Sequence, residues 1–228
     1  MIAETLKIRV SVLMGANIAN EIAQEYFSEA TIASANDDDA LVMKKLFDAS
    51  YFRITTVPDV GCVELCGALK NVVAIAAGIS DGLGYCPRTT ATVIRLGFME
   101  ITQFVQLFYP ETQFRTFYQS SGVADLIATC YGGRNHRLAE QFAKEPEKSF
   151  EMLEKELLNG QHLQGPDTAA ELNVILRRRG FENEFPVFTA VHRIATKQDK
   201  PSKLLDYIRK HPEYSMKNVT NKKFTVIY

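Results

Sequence analysis

The chain has 228 residues, 46% of them apolar and 23% charged, which is ordinary globular usage and excludes disordered, collagen-like and low-complexity classes. With 26 Lys and Arg against 27 Asp and Glu, the formal net charge is −1. No overall field draws such a chain to nucleic acid or to an anionic membrane, so any anion site has to be local.

Taken in chain order, the opening from Ile8 to Met14 reads as a strand, and Thr31 to Ala33 and Tyr51 to Val57 read as short β segments rich in β-branched and aromatic residues. Glu4, Lys7 and Arg9 interrupt the apolar positions of the opening and leave no signal-peptide core, which points to a cytoplasmic protein. From Gly61 the pattern changes: Val63, Leu65, Cys66, Leu69, Val72, Val73 and Ile75 surround a helix axis almost entirely, which predicts a buried central helix. Its longest apolar run, Val72 to Ile79, is far below the roughly 20 residues that a bilayer span needs. Cys62 and Cys66 share a face of this helix and read as buried thiols, and Ser80-Asp81-Gly82-Leu83-Gly84 stops it. The pair Gly82 and Gly84 lacks the third glycine of a dinucleotide fingerprint and reads as a turn.

A second long helix is predicted from about Thr89 to Phe108. Others follow at Gly122 to Tyr131, Asn135 to Ala143, Ser149 to Leu157, Asp167 to Arg179, Phe185 to Lys197 and Ser202 to His211. Ser149 is placed as an N-cap, and Gly180 as a left-handed C-cap. The tail from Met216 to Tyr228 has no helical periodicity and is expected to lie loosely on the surface.

Three polar segments could carry chemistry. Lys70-Asn71 interrupts the central helix, where an ammonium loses hydration and becomes able to exchange a proton with a substrate oxygen; the alternative is a lysine that snorkels to the helix edge. In Gly122-Val-Ala-Asp125-Leu-Ile-Ala-Thr129-Cys-Tyr-Gly132-Gly133-Arg134-Asn135, Asp125 and Thr129 share a helix face. The glycines then break that helix, and Arg134-Asn135 opens the next one, so that free N–H groups, a positive helix end and a guanidinium suit a phosphate. The alternative there is an ordinary turn in which Asn135 caps and Arg134 pairs with a carboxylate. The connector Asn159-Gly-Gln161-His162-Leu163-Gln164-Gly165-Pro166 places His162 and Gln164 where they could reach a ligand.

LMGANIA (13–19), CGALKN (66–71), GVADLIATCYGGRN (122–135) and NGQHLQGP (159–166), in this order, closely resemble the eukaryotic cytosolic NAD-dependent glycerol-3-phosphate dehydrogenase family over about residues 5–212. The resemblance implies a mainly α chain: a multi-helix C-terminal domain of the 6-phosphogluconate-dehydrogenase-like type (21–212, substrate-binding and dimerising), a short β remnant of a Rossmann domain (1–20) and a loose tail (213–228). It also implies a homodimer, NAD as cofactor, and dihydroxyacetone phosphate and glycerol 3-phosphate as substrates. Lys70 matches the family's catalytic lysine, with Asn71, Asp125 and Thr129 in the substrate site. Arg134 and Asn135 match the pair that holds the substrate phosphate, while Ala19, Arg134, His162 and Gln164 match cofactor contacts.

The sequence departs from the family pattern in three places. The glycine fingerprint and a second substrate-binding lysine of the Rossmann half are not in it, so only one side of the cofactor is expected to be touched. His162 stands where lysine is usual, which weakens that contact, and Pro87-Arg88-Thr89-Thr90 replaces Asp-Asn-Thr-Lys at a helix start. The competing expectation is a catalytically inactive truncated relative that acts as a binding or regulatory partner.

Overall fold

The computed structural model describes residues 5–215; the predicted loose tail from Met216 lies outside them. The first part is a small mixed sheet. Strand β1 (Val12–Met14) leads through a short helix α1 (Ala19–Ile22) to β2 (Ser28–Ala33), and helix α2 (Asp37–Phe47) crosses over to β3 (Phe52–Val57). The strand order is β1-β2-β3: β1 runs antiparallel to β2, with Leu13 opposite Ile32, and β2 runs parallel to β3, with Thr31 opposite Thr55. The parallel pair is the one joined by a helix, as a crossover connection requires. β2 is buried along almost its whole length, whereas β3 alternates.

β3 ends at Val57 as predicted, while β2 is longer than predicted, beginning at Ser28 rather than Thr31, because six rungs pair with β3. β1 is shorter than predicted, beginning at Val12 rather than Ile8, because only three rungs pair with β2. The prediction had no helix at α2. Its signal is local: the Asn36 side chain accepts from the Asp39 amide, and Asp37, Asp38 and Asp39 fill the first turn. It buries only Ala40, so apolar periodicity did not reveal it.

The rest is a helical layer built around α3 (Val60–Gly82), which is buried without interruption from Asn71 to Ser80. By length and composition α3 could cross a membrane, but 72% of its most apolar window is buried inside the protein. Around it pack α4 (Pro87–Phe108), α5 (Phe114–Phe117), a π-helical turn (Ser120–Ala124) that runs directly into α6 (Asp125–Cys130), then α7 (Arg134–Lys144), α8 (Phe150–Leu157), α9 (Gln164–Arg179), α10 (Pro186–Ala195) and α11 (Leu204–Arg209). Gly78 and Gly82, one turn apart, let α7 press against α3. A Cβ on them would lie 2.2 Å from the His136 carbonyl oxygen and 2.3 Å from that of Glu140.

Two boundaries differ from prediction for a tertiary reason. The segment predicted as one helix from Gly122 is a π-turn followed by a six-residue α-helix. α9 starts at Gln164 and not at Asp167, because the Gly165 amide finds an acceptor on Asn135 of another helix. α4 begins at Pro87, ahead of the predicted Thr89, with the proline in its first turn. The Thr90 hydroxyl donates to Asp81 Oδ1 at 2.5 Å and lies 2.9 Å from Ser80 Oγ, while His136 Nε2 meets Asp81 Oδ2 at 2.8 Å. That network ties the end of α3 to α4 and α7.

Candidate active site

α3 delivers two consecutive polar side chains at the edge of its buried stretch, and they enter two different networks. The Lys70 side chain, 19% exposed, is ion-paired with Asp125, the first residue of α6. Asp125 Oδ1 also accepts from the Thr129 hydroxyl one turn later, at 3.4 Å. Burial raises the Asp125 carboxyl above its ordinary range, against the opposing pull of the Lys70 ammonium and then of the Thr129 hydroxyl. The lysine therefore neither snorkels freely nor sits alone in apolar surroundings. Its charge is matched by a carboxylate that the fold brings to it.

Asn71 is buried, and its side-chain oxygen accepts from Asn135 Nδ2 at 3.0 Å. Asn135 in turn accepts from the Gly165 amide at 3.2 Å, so one side chain links α3, α7 and the start of α9. Arg134 is the exposed first residue of α7, and its Nη1 donates to Gln161 Oε1 at 2.9 Å. It pairs with an amide and not with a carboxylate, and Gly133, not Asn135, is the N-cap. Gln164 opens α9 and is exposed.

The structure thus gathers Lys70, Asn71, Asp125, Thr129, Arg134 and Asn135 around the middle of α3, with Gln164 next to the amide that Asn135 holds. Ala19 stands apart. It opens α1 and lines a cavity of about 450 Å3 with Leu13, Asn17, Ile22, Phe47 and Tyr51. His162 is exposed between two carboxylates, Nδ1 at 3.2 Å from Glu154 and Nε2 at 2.6 Å from Asp167. The Asp167 and Glu154 carboxylates raise its pKa. Two acidic neighbours thus take both ring nitrogens. Another cavity, of about 500 Å3, is lined by Glu182, Thr189, Arg193, Asp199 and Tyr207 and holds none of the predicted residues.

Sequence reasoning missed several members of the site. Gln161, which holds Arg134, lies inside a quoted motif but carries no distinguishing spacing. Cys66 and Cys130 border the ion pair; burial pushes the Cys130 thiol up to about 12, and Cys66, hydrogen-bonded by Cys62 and then desolvated, is also raised. These thiols are packing and not nucleophiles.

Comparison with known proteins now has a geometry to meet. The model of the C-terminal part of NAD-dependent glycerol-3-phosphate dehydrogenases matches residues 59–206, which span α3 to the middle of α11, and the model of the N-terminal part matches residues 1–40. The chain belongs to the NAD-dependent glycerol-3-phosphate dehydrogenase family. It is 53% identical over 214 residues to the cytoplasmic NAD(+)-dependent glycerol-3-phosphate dehydrogenase of Drosophila melanogaster, covering 94% of this chain and 59% of that protein. A probable glycerol-3-phosphate dehydrogenase of Caenorhabditis elegans is 54% identical, with 93% and 54% covered. Among solved structures, the glycerol-3-phosphate dehydrogenase of Saccharomyces cerevisiae superposes with a TM-score of 0.85 at 42% identity, covering 91% of this chain and 61% of that one. The chain therefore spans about 60% of the length of the fly relative. The helical layer around α3 is the C-terminal part of this dehydrogenase family, and the small sheet falls partly in its N-terminal part.

Proposed function

We propose that this chain carries the substrate site of a glycerol-3-phosphate dehydrogenase, which interconverts dihydroxyacetone phosphate and glycerol 3-phosphate. The observation that carries the reading is the Lys70–Asp125 pair, partly open to solvent, with the adjacent Asn71 bonded to Asn135 at the N-terminus of α7, where Arg134 is exposed. In this reading the Lys70 ammonium protonates the carbonyl oxygen of the substrate on reduction and takes the proton back on oxidation. Asp125, with Thr129, holds the ammonium in place, and Asn71 orients the same substrate oxygen. Arg134 and the amides at the start of α7 bind the phosphate, where helix dipole and guanidinium act together.

NADH, when bound, supplies the hydride. The exposed Arg134 and Gln164, each first in its helix, fit a phosphate-bearing cofactor. A cytosolic location and a homodimer formed by the helical part belong to the same proposal. Binding of dihydroxyacetone phosphate to the purified chain, followed by calorimetry, and turnover with NADH in a version that carries the nucleotide-binding half test the reading together. Lys70→Met is expected to keep binding and lose roughly 10²–10⁴ in rate. Absence of binding by the unmodified chain, or a variant within tenfold of its rate, overturns the assignment.

A further inference from the structure

The element that presents Asp125 is held in place by the sheet. β1 ends at Met14, whose sulfur fills the space over Gly67, one turn before Lys70 on α3; a Cβ on Gly67 would be 2.3 Å from it. The next residues press on the π-turn. A Cβ on Gly15 would lie 2.7 Å from both Ser120 Oγ and Ala30 Cα, so the chain just past β1 runs close against that hydroxyl. The Ala16 amide donates to Ser120 Oγ at 3.1 Å, and the Ser120 hydroxyl donates to the Glu29 carbonyl on β2 at 3.0 Å. Beside it, the Ser121 amide donates to Thr31 Oγ1 at 3.3 Å, which also receives the Thr55 hydroxyl at 3.3 Å. Ser120 is only 5% exposed.

Both ends of the ion pair are thus braced from the sheet: α3 at Gly67 by Met14 of β1, and the π-turn at Ser120, five residues before Asp125, by Ala16 just past β1 and Glu29 of β2. α6 is six residues long and Asp125 is its first, so the carboxylate follows wherever the π-turn goes. π-helical turns are rare and tend to occur at functional sites. We propose that Ser120 is a positioning residue of the reaction: its hydroxyl, bonded to the Ala16 amide and the Glu29 carbonyl, sets the place from which Asp125 meets Lys70. Removal of the hydroxyl leaves a donor at Ala16, just past β1, and an acceptor on β2 without their partner and lets the π-turn and α6 move as one. The inference rests on the reading of Lys70 and Asp125 given above. Lys70, Thr129 and Cys66 face the carboxylate, and Cys130 lies beside Lys70.

The test is carbon-13 NMR titration of the aspartate carboxyls in the full chain, with Asp125 assigned by Asp125→Asn, beside steady-state kinetics with dihydroxyacetone phosphate and NADH. In Ser120→Ala the Asp125 midpoint is expected to rise by about one pH unit as the pull of Lys70 weakens. kcat is expected to fall roughly tenfold or more, with KM changed less than about twofold. Ser120→Thr, which keeps the hydroxyl, restores the midpoint and the rate. A folded Ser120→Ala protein whose Asp125 midpoint is unchanged overturns the proposal. Should that variant not fold, Ser120→Cys, nearly equal in volume with a weaker donor, is expected to show a smaller rise, and an unchanged midpoint overturns it equally. Full activity in Lys70→Met would instead remove the reading beneath it, whatever Ser120 does to the midpoint.

Discussion

Glu100 on α4 and Asp125 on α6 are both carboxylates taken out of water, yet their partners differ in kind. Glu100 is fully buried, and its two oxygens accept from the backbone amides of Val187 at 2.7 Å and Phe188 at 2.9 Å, with His211 Nε2 3.4 Å away. It caps α10 across 87 residues of sequence, and burial raises its pKa against those three partners. Asp125 faces a long, partly exposed lysine side chain instead. Backbone amides cannot leave, so the first arrangement is scaffold. An ammonium at the edge of the core can give its proton to a bound oxygen, so the second can be a site. Burial of charge does not mark function; access and the freedom of the partner do.

The sharpest way to break this contrast is Glu100→Ala, which leaves two buried amides without an acceptor. A loss of about 3–5 kcal/mol of folding stability is expected by denaturant unfolding. A loss below about 1 kcal/mol would mean that α10 finds another cap. Arg134→Ala should do the reverse, weakening dihydroxyacetone phosphate binding by roughly 2–5 kcal/mol in calorimetry while barely moving the unfolding curve. Equal losses in both measurements would erase the division between scaffold and site.

A smaller effect separates the two by pH. Asp125 has a folded pKa above its unfolded one, so the folded state holds that proton more tightly. The stability it contributes is greatest below the unfolded value of about 3.9 and is lost as the pH rises through the folded value. The stability difference between the unmodified chain and Asp125→Asn should therefore turn against the unmodified chain by about 1 kcal/mol between pH 4 and 7. A flat difference would show that the pair with Lys70 fully offsets burial. The smallest effect concerns His162, whose folded pKa is raised: the contribution of its clasp on Asp167 and Glu154 is complete below about 6.5 and fades as the pH passes the folded value. Proton NMR of the ring should give a midpoint above that of a free histidine, and Asp167→Asn should bring it back down.

Much of this was written in local chemistry. α3 is apolar on all sides and had no other place to go than the core, and its single cationic intruder, Lys70, stood out for that reason. Ser149 before α8 accepts from the Met152 amide as its N-cap pattern suggests, and Gly180 ends α9 at a φ of 69°. The polar segments at 122–135 and 159–166 were visible as segments because glycine and proline bound them.

What each polar residue holds was settled only in three dimensions. Asp125 lies 55 residues from Lys70 in sequence, Asn135 lies 64 from Asn71, and Ser120 lies 104 from the amide it accepts from. Glu100 is a lone carboxylate within a long helix, and its partners are amides that α10 brings to it from 87 residues away. Periodicity and capping act within a few residues and so can be read from the chain, while a hydrogen bond between distant elements depends on the packing that brings them to within 3 Å. The sheet behaves the same way: three short β segments were legible, but the pairing that lets the sheet brace Gly67 through Met14 and Ser120 through Ala16 and Glu29 depends on strand order, and strand order is a property of the folded layer.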